Sequence, residues 1–357
     1  MKPPAQRLAS LDAMRGCTVA AMLLVNDPGD WGHVYWPLDH SAWNGCTPTD
    51  LVFPFFLFVV GVSVALAILP RLERGEATAA LARAALWRAL RIVALGVAIN
   101  VLAALLMPQA HLRFPGVLQR IGVCFAVVAW LAMHTRPRTQ WALVVALLLG
   151  YWGLLLLGGS LAPWSNIASR VDSAVFGRFV YLIDPASGRG HDPEGLLSTL
   201  PSIATTLLGL RAGCWLRRGR LGPLLLAGLL SLSLGALWSP WLPWNKNLWT
   251  PSFVLWTGGW AMLALLACHW LIDRRGWPAL GRRFGVNAIA AYAGSELMQI
   301  LLPAFGWQQP LYRHGLADWM TPLTGPWLPS LTWALLFVAL WWLIVAAMDR
   351  RRCYLKL

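Results

Sequence analysis

The sequence predicts an all-α bundle of about ten transmembrane helices, one domain over residues 1–357, with both termini cytoplasmic. Three observations predict it. The chain is 58% hydrophobic and only 12% charged, where soluble domains carry about 25% charged residues. Several apolar runs reach the roughly 20 residues that cross a hydrocarbon core, and they are continuous rather than alternating as barrel strands are. The segments between the runs alternate sharply in basic content.

The predicted spans are roughly 8–25, 49–69, 86–107, 114–134, 140–158, 196–216, 221–238, 249–272, 284–303 and 328–348. The first holds Asp12 and Arg15 and ends at Asn26 without a small-residue cleavage site, so it reads as a mature helix rather than a signal. TPTD reads as the start of the second, with Thr47 as N-cap, Pro48 first in the helix and Asp50 near free amides. The acids of DPEG, 192–195, read as the start of the sixth span, facing its positive dipole end. Within that span Gly209 and Gly213 have the GxxxG spacing of a close helix contact. The 23 tryptophans suit interfacial belts, where an apolar ring with one polar N–H sits at headgroup depth.

Basic residues set the orientation. The amino terminus, RLERGEATAALAR, HTRPRTQ, RRGR, DRRGWPALGRR and DRRRCYLKL, counted with Arg88, carry 19 of the 29 Lys and Arg residues. The alternate segments, 26–48, 108–113, 159–195, 239–248 and 304–327, hold only Arg113, Arg170, Arg178, Arg189, Lys246 and Arg313. By the positive-inside rule the first set is cytoplasmic and the second faces outward. The expected location is the inner (cytoplasmic) membrane, multi-pass and in contact with lipid. The net charge of +14 is scattered between apolar runs, so no nucleic-acid partner is expected. Cys17, Cys124, Cys214 and Cys268 lie within apolar runs, and no disulfide framework or metal spacing appears. No repeat of fixed period or duplication of halves is evident, which disfavours a repeat-built transporter.

Four arginines fall inside spans, where each costs about 2.5–3.5 kcal/mol on insertion scales. Arg91 and Arg211 lie near cytoplasmic ends and can snorkel. Arg15 follows Asp12 by three residues, on one helix face. Arg120 has Gln119 beside it, Arg113 one face earlier and no acid within a helical turn. Such a cluster suits a polyanionic ligand. Asn287 and Glu296 make GVNAIAAYAGSEL more polar than lipid contact requires.

The loop NDPGDWGHVYWPLDHSAWNG holds the residue hardest to assign to a cap or a surface. His40 lies between aromatic side chains, next to Asp39 and just before the second span, and imidazole titrates near neutral pH as a general base must. Asp50 is mainly accounted for by the helix start.

SLDAMRG at 10–16, VN at 25–26, HSAWNG at 40–45 and TDLVFPFFLFVVG at 49–61 resemble the heparan-alpha-glucosaminide N-acetyltransferase family and its bacterial homologues. RFPGVLQRIG at 113–122, EGLLSTLPSI at 194–203, NKNLW at 245–249 and the GVNAI segment continue the resemblance in order. The resemblance implies transfer of acetyl from cytosolic acetyl-CoA to an amino sugar or related glycan across the membrane, with no metal. It implies that His40 is the active-site histidine and Asn26 a nearby functional asparagine. Relatives often have histidine before the glutamate of the ninth span, where this chain has Ser295.

His40 would deprotonate the acceptor amine or hydroxyl, or carry the acetyl group as a nucleophile. Asn26 would donate to the oxyanion or orient the imidazole, and Asp50 completes the candidate catalytic set. Arg15, Arg91, Arg120, Gln119 and Asn287 are the candidates for the acetyl-CoA path. A homodimer is left open. The alternatives are a transporter of a sugar or anionic solute, and an assembly protein, which would leave the polar residues within the spans unexplained.

Overall fold

The computed structural model describes residues 8–107 and 111–355; the basic residues Lys2, Arg7 and Lys356 lie outside that range. Helix α1 (Ala9–Asn26) leads through a long loop and a 3₁₀ turn (Thr49–Leu51) into α2 (Val52–Ala67), followed by short α3 (Leu69–Glu73). Then come α4 (Thr78–Leu106), α5 (Val117–His134) and α6 (Pro137–Leu157). The next loop carries α7 (Ile167–Phe176) and a two-stranded ribbon of β1 (Leu182–Ile183) and β2 (Gly190–His191), antiparallel. Next are α8 (Thr199–Arg217), α9 (Leu221–Trp238) and α10 (Pro251–Cys268), which a π-helical turn prolongs to Arg274. Short α11 (Arg282–Val286) precedes α12 (Ala288–Ala304), α13 (Gln308–Tyr312), α14 (Asp318–Thr324) and α15 (Trp327–Arg350).

All ten predicted segments are helical. Helix α4 starts eight residues earlier than expected, because TAALARAALW is rich in strong helix formers and places buried Leu81, Ala85 and Ala89 four residues apart. Among the described residues seven helices are long and apolar enough to cross a membrane, which marks a membrane protein. The count is eight if α12 and the Gln308–Thr324 segment, bent by 97°, are one span.

Helices α1 and α8 fall outside that set for a physical reason: their polar residues face protein. Helix α8 is buried without a break from Pro201 to Cys214. Its Ser202, Thr205 and Thr206 hydroxyls donate to carbonyls four residues back, so they need no water. Hydropathy reports what lipid would meet, and an enclosed helix meets none.

Helices α2 and α8 cross at backbone contact. A Cβ on Gly61 would lie 1.9 Å from the Thr206 carbonyl oxygen, and one on Gly209 would lie 2.0 Å from that of Phe58. Gly213 sits over Val62 and Ala65, so the predicted glycine pair is a close helix contact. Gly209→Ala is expected to separate the two helices and cost about 1–3 kcal/mol, read as a lower thermal midpoint in detergent.

The loops gather at two ends. At one, Trp43 Nε1 donates to Leu161 O (2.9 Å), Asn245 Nδ2 to Asn44 Oδ1 (3.0 Å) and Gly29 N to Ser330 O (3.2 Å). At the other, Ser10 N donates to Asp273 Oδ1 (3.2 Å), and Arg282 pairs with Asp349. The first is the histidine end and the second the basic end. DPEG does not start α8, which begins at Thr199. Its acids turn instead onto Arg113, a distant ion-pair partner that outweighs a helix dipole.

Candidate active site

The 40–50 loop is closed by its own polar groups. Gly45, with φ +127°, makes a turn that side chains rarely adopt, and its N–H reaches Trp244 O at 2.7 Å. Thr47 Oγ1 donates to Asp39 O (2.7 Å). Asp50, 1% exposed, accepts from the N–H of Thr47 (3.0 Å) and of Ser41 (3.1 Å) through Oδ2. The bond from Thr47 N–H is the Asp50 half of the expected helix start, but the helix begins at Thr49 with Pro48 at its N-cap, because the Thr47 hydroxyl is taken by Asp39 O rather than by a helix amide. Oδ1 of the same carboxylate lies 2.7 Å from His40 Nδ1.

One carboxylate therefore starts the span and orients the histidine. With three donors converging on it, Asp50 accepts, so Nδ1 carries the proton and Nε2 keeps its lone pair. Lys246 Nζ lies 3.0 Å from Nε2 and 3.2 Å from Nδ1. The His40 ring is 41% exposed, open to an incoming molecule.

The NKNLW turn fixes Lys246. Asn245 Oδ1 accepts from Leu248 N–H (2.8 Å) while its Nδ2 holds Asn44. Trp249 closes the turn at φ +54°, a left-handed conformation costly for a bulky residue. Its indole N–H donates to Thr205 Oγ1 at 3.1 Å. Lys246 was not singled out from sequence. The signal was present: it is the only lysine between Lys2 and Lys356 in a chain that otherwise uses arginine.

A second polar cluster lies beneath. Arg113 donates to both Asp192 oxygens (2.8 and 2.6 Å) and to Glu194, and covers the Tyr181 ring at 4.7 Å. Burial raises Glu194, but the charges of Arg113 and Arg120 outweigh it and hold the carboxyl below its ordinary range. Asn26 stands with Tyr292 beside the Glu296 carboxyl. Among the described residues no hydrogen bond joins Asn26 to His40.

From the basic end a cavity of about 980 Å³ enters the bundle. Leu8, Pro70 and Tyr354 lie at its mouth, and Phe56, Leu118 and Tyr292 lie at its depth. Arg15, Arg88 and Arg217 line it. Arg15 donates to Ser63 Oγ (2.8 Å), Gly285 O (3.3 Å) and Asp12 (3.3 Å), so the expected pairing with Asp12 is present. The other four candidates for the acetyl-CoA path do not line this cavity. Arg91 is exposed on α4. Gln119 donates to Phe114 O (3.1 Å), with its amide packed against Gly96 and Gly116. Arg120, 2% exposed, bonds Gly195 O (3.1 Å) and Ser198 and sits 5.2 Å over Trp249. Asn287 is enclosed between α11 and α12. Arg88 and Arg217 were passed over because the basic count placed them in cytoplasmic segments.

A family model described as heparan-alpha-glucosaminide N-acetyltransferase, catalytic, matches residues 7–221. The chain belongs to this family. It is similar to the human heparan-alpha-glucosaminide N-acetyltransferase, 30% identical over 422 residues, covering 99% of this chain and 60% of the relative. The mouse heparan-alpha-glucosaminide N-acetyltransferase is 29% identical over 366 residues, covering 85% of this chain and 55% of the relative. The chain thus spans less than two thirds of the length of these curated relatives. In this heparan-alpha-glucosaminide N-acetyltransferase family member the matched region holds Asn26, His40, Asp50, Arg113 and Glu194, while Lys246, Tyr292 and Glu296 lie beyond it.

Proposed function

We propose that this protein is a membrane acetyltransferase, moving acetyl from cytosolic acetyl-CoA to the amine of an amino sugar or related glycan on the periplasmic side. One observation carries the reading: the His40–Asp50 pair, with Lys246 over the His40 ring, stands at the end of the bundle opposite the mouth of an arginine-lined cavity. Family membership supports it. Ten spans with cytoplasmic termini complete it, since α1 and α8 are enclosed helices whose hydropathy need not be high.

The cavity suits a nucleotide carrier with an extended arm. Its volume is at the upper end of ligand pockets, about 300–1,000 Å³. Arg88 and Arg217 near the mouth suit phosphates, and Val59, Ile92 and Ile121 give an apolar wall for an alkyl chain. When bound, the thioester supplies an activated acetyl carbon. Along α2 the deep wall at Phe56 is six residues from Asp50, roughly 9 Å of helix at 1.5 Å per residue. A thioester at the end of an extended arm can cover such a gap.

His40 removes a proton from the acceptor as it attacks. Asp50 holds the Nδ1–H tautomer and stabilises the imidazolium. Tyr292, in the deep wall of the cavity, and Asn26, beside the same Glu296, are the donors for the developing oxyanion.

Purified protein incubated with labelled acetyl-CoA and a panel of amino sugars tests the reading. Label should pass to an amino sugar and not in His40→Ala. Uptake into sealed vesicles without label transfer would instead establish a transporter. Arg88→Ala and Arg217→Ala should each raise KM for acetyl-CoA about tenfold or more with kcat little changed, the signature of lost uniform binding.

A further inference from the structure

The contact between His40 and Lys246 bears on a proton count that one base does not satisfy. A sugar amine near neutral pH is largely an ammonium. It must lose one proton to expose its lone pair and a second as the amide forms. His40 Nε2 can hold one at a time, and Lys246 Nζ lies over the same ring, 3.0 Å from Nε2 and 3.2 Å from Nδ1.

Resting on the acetyltransfer reading above, we infer that Lys246 is the second base of the site, taking the first proton of the ammonium so that the His40 imidazole is still neutral when the amine attacks. The first proton passes from the ammonium to Nζ. The C–N bond then forms as the C–S bond breaks, with that electron pair leaving on sulfur. The second proton goes to Nε2 and from there to the sulfur. Lys246 returns its proton to water at the exposed face of the loop.

The residue type is part of the argument. An arginine cannot lose its proton in a protein, whereas a lysine shifts readily when taken from water. The chain uses arginine at nearly every other basic position. Four titratable groups face Nζ: His40, Asp50, Glu194 and Cys46. Burial lowers the Lys246 ammonium below its ordinary range, while Asp50 and Glu194 oppose this and accommodate the cation once formed. The strained turn at Trp249 and the Asn245–Asn44 bond keep Nζ on the ring rather than in solvent.

The test is kcat/KM for glucosamine against pH in the parent, Lys246→Arg and Lys246→Gln, with labelled acetyl-CoA as donor. Arginine retains the cation but accepts no proton, and glutamine retains neither charge nor basicity. Both variants should lose about 10²-fold near neutral pH, and the deficit should close at alkaline pH, where the amine is already free in solution. His40→Ala should stay inactive throughout. A deficit independent of pH would make Lys246 a merely structural contact, and no deficit would make it a bystander; either overturns the inference alone. A parent that transfers no acetyl group overturns the acetyltransfer reading and this inference with it.

Discussion

His40→Ala is expected to lower acetyl transfer by about 10²–10⁴-fold, with acetyl-CoA binding unchanged because His40 is not among the residues lining the cavity. Asp50→Asn should fall in the same range for a different reason. A carboxylate accepts from Nδ1–H and leaves Nε2 basic; an amide that turns its NH₂ toward Nδ1 forces the proton onto Nε2. The two variants differ in stability. Asp50 also accepts from the N–H of Thr47 and Ser41, so its replacement weakens the start of the span, whereas His40 is 41% exposed at the surface. Turnover with labelled acetyl-CoA, alongside thermal unfolding, separates the two effects. An Asp50→Asn protein that turns over like the parent would remove Asp50 from the mechanism.

Arg113→Met is expected to be the most destabilising single change at the site, by about 3–5 kcal/mol, because it leaves two carboxylates buried without their partner. Asp192 and Glu194 side chains are 0% and 8% exposed. The pH dependence has a definite sign. Glu194 is held below its ordinary range, so its contribution is present above the unfolded carboxylate value and lost as pH falls through the folded one. Arg113→Met abolishes that contribution, so the gap between parent and variant should be widest near pH 7 and shrink toward about pH 4, where free glutamate protonates. Thermal midpoints in detergent across that range check it. A gap that does not change with pH would mean that Arg113 acts by packing on Tyr181 rather than by charge.

Much of this was legible in sequence, for different reasons at different residues. The helices were legible because apolar runs of span length admit one backbone solution. A close helix contact was legible at Gly209 and Gly213 because small residues four apart have few other uses in a span, but its partner α2 was not. His40 stood out because neither a helix start nor a lipid-facing surface accounts for an imidazole there. Asp50 was legible only in part, since its capping role hid the second oxygen, which reaches back ten residues to His40.

The arginines of the cavity were not legible. A guanidinium inside an apolar run reads alike whether it meets a phosphate, a carboxylate or a carbonyl. Arg120 found Ser198 and Gly195, and Arg113 found Asp192, both through partners more than 70 residues away in the chain. Arg88 and Arg217 looked like ordinary basic flanks, and only the packing of α4 on α5 and α12 and of α8 on α2 and α5 turns them into one wall.

By itself the sequence determined what depends on local composition: the helical class, the membrane and the family. The tertiary structure alone decided which charges meet. It set Lys246 against His40 across 206 residues and opened a cavity toward the basic end. The reason is that apolar length and periodicity are properties of neighbouring residues, whereas an ion pair or a cavity wall depends on chain crossings that no short stretch encodes.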